Sequence, residues 1–145
     1  MAYVATNYLL NTAAPLKQWA CTRTSTLGPF ASPPAQGTTG NPDFCGQCVS
    51  YVTTVCPAIP VNTGLWKKGV QVKVATGLKA GAAIATFDAS GKYSGHAAIY
   101  ESQDRLGINV VDQWVTPPAT PIHKRTLRFG AHGNSNNGDN FYVIE

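Results

Sequence analysis

The sequence predicts an α+β domain in which a helix precedes an antiparallel sheet, rather than a doubly wound alternation of the two. Two observations carry this. Cys48, Tyr51, Val52 and Val55 recur at i, i+3, i+4 and i+7, the spacing of one helix face. After Gly81 the period changes to short apolar runs separated by turn residues, which read as strands. The 145 residues suffice for one core, so positions 1–145 are expected to form a single domain.

Taken in order, Ala5 to Leu10 is suited to a short helix at the N-terminus. From Cys21 the composition turns to Thr, Pro, Gly and Ser, so 21–43 reads as an irregular loop insertion, tied down because Cys21 and Cys45 flank it. Pro42 and Asp43 then signal a helix start, and Pro57 stops it. Its three valines lower the intrinsic propensity, so burial has to support it. Ala82 to Phe87 is the first strand, and Asp88 to Gly91 a turn. His96–Glu101 and Ile108–Val115 make the clearest hairpin, joined through Gln103 to Gly107. Thr126–Phe129 and Phe141–Ile144 are two more strands, separated by a Gly/Asn/Ser loop at 130–140.

Composition narrows the function. The net charge is +4, and the basic residues neither cluster nor interleave with aromatics, which argues against nucleic acid. No apolar run approaches the roughly 20 residues of a membrane span. The start, Met1-Ala2-Tyr3-Val4, lacks the features of a secretory signal.

Chemistry concentrates around Cys48, in Cys45-Gly46-Gln47-Cys48-Val49-Ser50-Tyr51 at the predicted helix start. Free N–H groups and the positive end of the helix dipole there favour the thiolate, the nucleophilic form. His96 opens a strand behind Gly95, and Asp112 or Gln113 on the next strand is placed to orient it, completing a Cys–His–polar set. Gln47 is a candidate oxyanion donor beside the Cys48 N–H. Each residue alone has a plainer reading: an inert buried thiol, a structural histidine, a turn or cap aspartate. Order and spacing raise the set above its parts. His123 and His132, in Pro- and Gly-rich surroundings, read as structural.

Cys45 and Cys48 form a Cys-x-x-Cys, yet a loop precedes it rather than the buried strand of a thioredoxin-like unit. Cys21 and Cys56 do not supply a second ligand pair for zinc, so no metal is expected. With Cys48 reserved for chemistry, two of Cys21, Cys45 and Cys56 are disulfide candidates. Cys45 is the favoured partner of Cys21, since it then cannot oxidise Cys48. The alternative leaves all four reduced.

Gly46-Gln47-Cys48-Val49-Ser50-Tyr51-Val52 resembles the nucleophile motif of CHAP and NlpC/P60 peptidases, and Gly95-His96-Ala97-Ala98-Ile99-Tyr100 resembles their general-base strand. Ala83–Phe87, Gly95–Tyr100, Gly107–Trp114 and Phe141–Val143 are similar to the small BPSL0067 family within that group. The similarity runs from about Cys45 to the C-terminus. It implies a papain-like NlpC/P60 core, an N-terminal helical part packed on a central antiparallel sheet. It also implies a Cys48–His96 dyad acting on stem-peptide or amide bonds of bacterial peptidoglycan. CHAP relatives carry Glu and, two positions later, Asn where this chain has Asp112 and Trp114. Amidases of this kind serve as antibacterial toxins, some delivered by type VI secretion, so release outside the producing cell and an immunity protein as partner are implied.

The leading expectation is a monomeric peptidoglycan hydrolase that needs no cofactor, with Tyr93 and Trp114 lining its substrate site. Two readings compete: a thiol–disulfide oxidoreductase using Cys45 and Cys48, and a non-catalytic wall-binding module whose Trp66, Trp114 and Tyr93 stack on sugars.

Overall fold

The computed structural model describes residues 2–34, 40 and 42–145. One α-helix, α1 (Cys48–Val55), packs on a six-stranded antiparallel sheet. Its strands are β1 (Lys68–Gln71), β2 (Ala83–Phe87), β3 (Tyr93–Gln103), β4 (Gly107–Trp114), β5 (Thr120–Arg128) and β6 (Phe141–Ile144). Their spatial order is β1-β6-β2-β3-β4-β5, so the C-terminal strand enters between the first two. Helix, then antiparallel sheet, is the α+β order expected. Among the described residues no helix is long and apolar enough to cross a membrane.

Strand alternation divides the core. Ala83, Ala85, Ala97, Ile99 and Val111 pack with Tyr51, Val52 and Val55 of α1. Ile84, Ala98, Tyr100, Val110 and Phe141 form a second cluster, closed by Val72 and flanked by Leu78 and Phe129. Burial on both faces explains why β2 and β3 read as continuous apolar runs. The alanines facing α1 present little bulk to it, and seven of its eight residues are buried.

Three expectations need correction. The short helix expected over Ala5 to Leu10 is a single 3-10 turn at Tyr8–Leu10 with no buried residue. β5 starts at Thr120, six residues before the strand expected at 126. Pro121 obscured it, but β5 is an edge strand, where a missing N–H is tolerated. β1 was not foreseen; its four residues are alternately exposed and half-buried, too short a run to read.

The 21–43 segment is anchored at its base by the Cys21–Cys45 disulfide and by a bridge between Trp19 and Phe30. Of that segment, residues 35–39 and 41 lie outside the described residues.

Candidate active site

Cys48 is the first residue of α1, and Gln47, in extended conformation, precedes it as the cap. Two contacts fix this entry. Gly46 has φ of +83°, and a side chain there would collide with Val115 and Trp19. Gln113, fully buried on β4, accepts from the Ala20 N–H (2.8 Å) and donates to the carbonyls of Ala20 (3.0 Å) and Gln47 (2.7 Å). Gln113 therefore binds the start of α1 to the sheet. Both its amide hydrogens are used on backbone carbonyls, so it is neither the orienter of His96 nor an oxyanion donor.

His96 sits where β3 bulges against β2, the register shifting between Ala85 and Phe87. Gly95 makes the bulge, at φ +110°, with Thr86 and Asn134 packed where a side chain would project. The His96 N–H donates to the Thr86 hydroxyl at 2.9 Å. The imidazole is 1% exposed; its Nε2 lies 2.7 Å from Asp112 Oδ2, and its buried Nδ1 has no hydrogen bond among the described residues. Trp114 stands edge-on to the ring at 5.2 Å between centroids.

These groups set one another's charge. Burial works against an imidazolium, but the Asp112 hydrogen bond, followed by Cys48, raises His96 to about 9. Burial likewise opposes the Cys48 thiolate. His96 outweighs it, with help from Tyr93 and the Ala97 N–H, and holds the thiol below its usual value. Asp112 is desolvated, yet His96 and then Arg125 keep it below the ordinary carboxylate range. Cys48 and His96 thus each favour the charged form of the other, with the Asp112 carboxylate behind them.

Tyr93 and Trp114 share a cleft with Cys48. The Tyr93 hydroxyl is 3.5 Å from Cys48 Sγ, and its ring packs edge-on to Trp66 at 5.0 Å. Both line a cleft of about 610 Å³ that also takes in Gln47, Cys48, Val49 and Phe44. Trp66 is only 3% exposed and its indole N–H is spent on the Pro60 carbonyl, so it cannot offer a face to a sugar. Cys45 is bonded to Cys21, while Cys48 and Cys56 are free; a Cys45–Cys48 redox pair is thereby ruled out for this state.

Sequence reasoning missed two neighbours of Asp112. His123 belongs to β5 directly opposite Asp112, with its Nδ1 3.7 Å from Oδ1, rather than to a loop. Arg125 donates from Nε to Asp112 Oδ2 at 2.8 Å. Had β5 been read from Thr120, the i, i+2 placement of His123 and Arg125 would have put both on one face. Both border a second, smaller cavity of about 290 Å³ behind His96 and Asp112. His132 is exposed.

Fold and site together define an α+β domain built around a buried thiol–imidazole–carboxylate array. The model of the Dae2 family, "Domesticated amidase effector 2", matches residues 20–144, and the chain belongs to that family. A protein of Ixodes scapularis described as "Domesticated amidase effector 2" is 46% identical over 103 residues, covering 68% of this chain and 70% of that protein. A "Type VI secretion amidase effector 2 protein" of Salmonella typhi is 30% identical over 115 residues, covering 68% and 84%. A solved structure of "Type 6 secretion amidase effector 2 (Tae2)" superposes with a TM-score of 0.59 at 29% identity, covering 68% of this chain and 80% of that one.

Proposed function

We propose that this protein is a cysteine amidase that cuts peptide-type bonds in bacterial peptidoglycan, with Cys48 as nucleophile, His96 as general acid–base and Asp112 as its orienter. The observation that carries this reading is the position of the thiol: at a helix N-terminus, on a cleft, with a buried imidazole and a carboxylate behind it. The relatives described as amidase effectors support the bond type, and the resemblance of the Cys48 and His96 motifs to CHAP and NlpC/P60 peptidases supports the wall as substrate.

In this mechanism the Cys48 thiolate attacks the amide carbonyl and a C–S bond forms. The oxyanion is met by the Cys48 N–H at the open end of α1, with the Gln47 side chain at the cleft edge as a second donor. His96 then gives its Nδ1 proton to the nitrogen as the C–N bond breaks, and the amine leaves. Neutral His96 next takes a proton from water, whose oxygen attacks the thioester. The C–S bond breaks and the carboxylic acid product leaves. Asp112 holds Nε2–H throughout, so Nδ1 is always the nitrogen that faces the reaction.

The same reading places the domain, residues 1–145, with the papain-like NlpC/P60 group and the BPSL0067 family, as a monomer that works outside the cell that makes it. Stem-peptide endopeptidase and amidase action both suit the chemistry, and an immunity protein that plugs the Cys48 cleft is the natural safeguard for a maker with a susceptible wall. Incubating purified peptidoglycan with the wild type and with Cys48→Ala, followed by mass spectrometry of the soluble fragments, tests it. New fragments from the wild type alone identify the bond; identical fragments from both, or none from several wall types, overturn the reading.

A further inference from the structure

Asp112 is 1% exposed, and the chain surrounds it unevenly. One oxygen, Oδ2, accepts from both His96 Nε2 (2.7 Å) and Arg125 Nε (2.8 Å). The other, Oδ1, has no hydrogen bond among the described residues, and His123 stands off at 3.7 Å with its Nδ1 on the Pro121 carbonyl. Arg125 is itself held from outside: one terminal nitrogen donates to the Asn136 side chain (2.8 Å), the other to the Ser135 carbonyl (3.3 Å). The same loop reaches the catalytic strand, because Asn134 packs against Gly95, the residue before His96.

This arrangement matters at one stage of the cycle. While His96 is an imidazolium, Asp112 faces a cation. Once His96 has given its proton to the leaving amine, the buried carboxylate is left with a neutral ring. A lone buried carboxylate is costly, and it would draw the Nε2 proton to itself. Arginine is the side chain suited to prevent this, since its guanidinium keeps its charge at any working pH.

We propose that Arg125 is a positioning residue of the site: strapped by Ser135 and Asn136, it supplies the fixed cation beside Asp112 during the steps in which His96 is neutral. The inference rests on the Cys48–His96 reading above and adds to it a residue that lies outside the Cys48 cleft. The other titratable groups facing Asp112 are His96 on β3, His123 on β5 and Tyr51 on α1, with Cys48 acting through His96. None of them is a permanent cation.

The test compares wild type, Arg125→Gln, Arg125→Lys and Asn136→Ala by NMR titration of the Asp112 carboxyl and the His96 ring, alongside the pH profile of kcat/KM on peptidoglycan fragments. Arg125→Gln is expected to move the Asp112 titration upward by about one pH unit or more and the acid limb of kcat/KM with it. Arg125→Lys, which keeps charge but loses the fork, restores the Asp112 titration in part. Asn136→Ala, which frees only the outer arm, gives a smaller shift of the same sign. If Arg125→Gln stays folded and leaves the Asp112 and His96 titrations unchanged, the inference fails. If Arg125→Gln does not fold, Arg125→Lys and Asn136→Ala decide, and unchanged titrations in both overturn it. Because the titrations need no turnover, this result is separate from a failure of Cys48 as nucleophile, which Cys48→Ala reports.

Discussion

Replacing Asp112 by Asn keeps the shape of the side chain and removes the charge behind His96. In the wild type burial pulls the imidazolium down, and Asp112 with Cys48 raises it from 6.5 to about 9. At about 1.4 kcal/mol per pH unit, that difference is roughly 3 kcal/mol in favour of the charged ring. Asp112 is the foremost of the groups raising it, so in the variant His96 should titrate well below its wild-type value of about 9. A ring that gives up its charge more easily holds the Cys48 thiolate less firmly, and kcat/KM should fall by about 10²–10⁴-fold. The stability consequence is cleanest in a Cys48→Ala background, where the thiol no longer titrates. A raised histidine contributes stability that is complete below 6.5 and is lost as pH climbs through its folded value. Asp112, held low, contributes above 3.8 and loses it as pH falls. Both are therefore present together from about pH 4 to about pH 6.5. There the Asp112→Asn chain should melt lower by roughly 6–12 °C at most, and the gap should shrink toward alkaline pH. Thermal melts across a pH series, with NMR titration of His96, measure it. A melting gap independent of pH, or a His96 still titrating near 9 in Asp112→Asn, would refute the electrostatic reasoning.

Gln113→Leu should lower stability by about 2–3 kcal/mol in chemical denaturation, chiefly because the buried Ala20 N–H is orphaned. It should also slow alkylation of Cys48 by loosening the Gln47 anchor. Cys21→Ser opens a disulfide spanning 24 residues and should cost about 2–4 kcal/mol in the same assay, while alkylation of Cys48 changes little when a reductant keeps the freed Cys45 from oxidising it. The Tyr51 hydroxyl is buried without a hydrogen bond among the described residues, so Tyr51→Phe should be neutral or slightly stabilising by thermal melt. A loss above about 1 kcal/mol would show that the hydroxyl has a partner.

What could be read from the sequence was whatever declares itself locally. The helix at Cys48 shows in its 3.6-residue period, and β2, β3 and β4 show in apolar runs, because both faces of those strands are buried. Cys48, His96 and Asp112 are legible for a related reason: a helix start and two adjacent strands carry them, and strand pairing brings the last two to 2.7 Å. Non-local features were not legible. Choosing between Asp112 and Gln113 requires knowing which side of β4 faces His96 and which faces Ala20, and both are polar in a run of apolar residues. Arg125 was hidden because β5, an edge strand with a proline in it, has no apolar run to mark it, and its partner loop lies ten residues further on. The N-terminal segment misled through composition, since apolar residues suited to a helix serve there as a coil laid against the start of β2. Ala5, for example, pairs with Gly81 instead of continuing a turn.

The most direct test of the central claim is stoichiometric alkylation of the native protein with iodoacetamide, followed by peptide mapping and assay on peptidoglycan. Cys56 is buried and its thiol is pushed up, chiefly by desolvation, whereas Cys48 is held toward the thiolate and opens on the cleft. The account predicts one equivalent of label, on Cys48, with wall cleavage lost in proportion to labelling. Cleavage that continues with Cys48 fully labelled would contradict it.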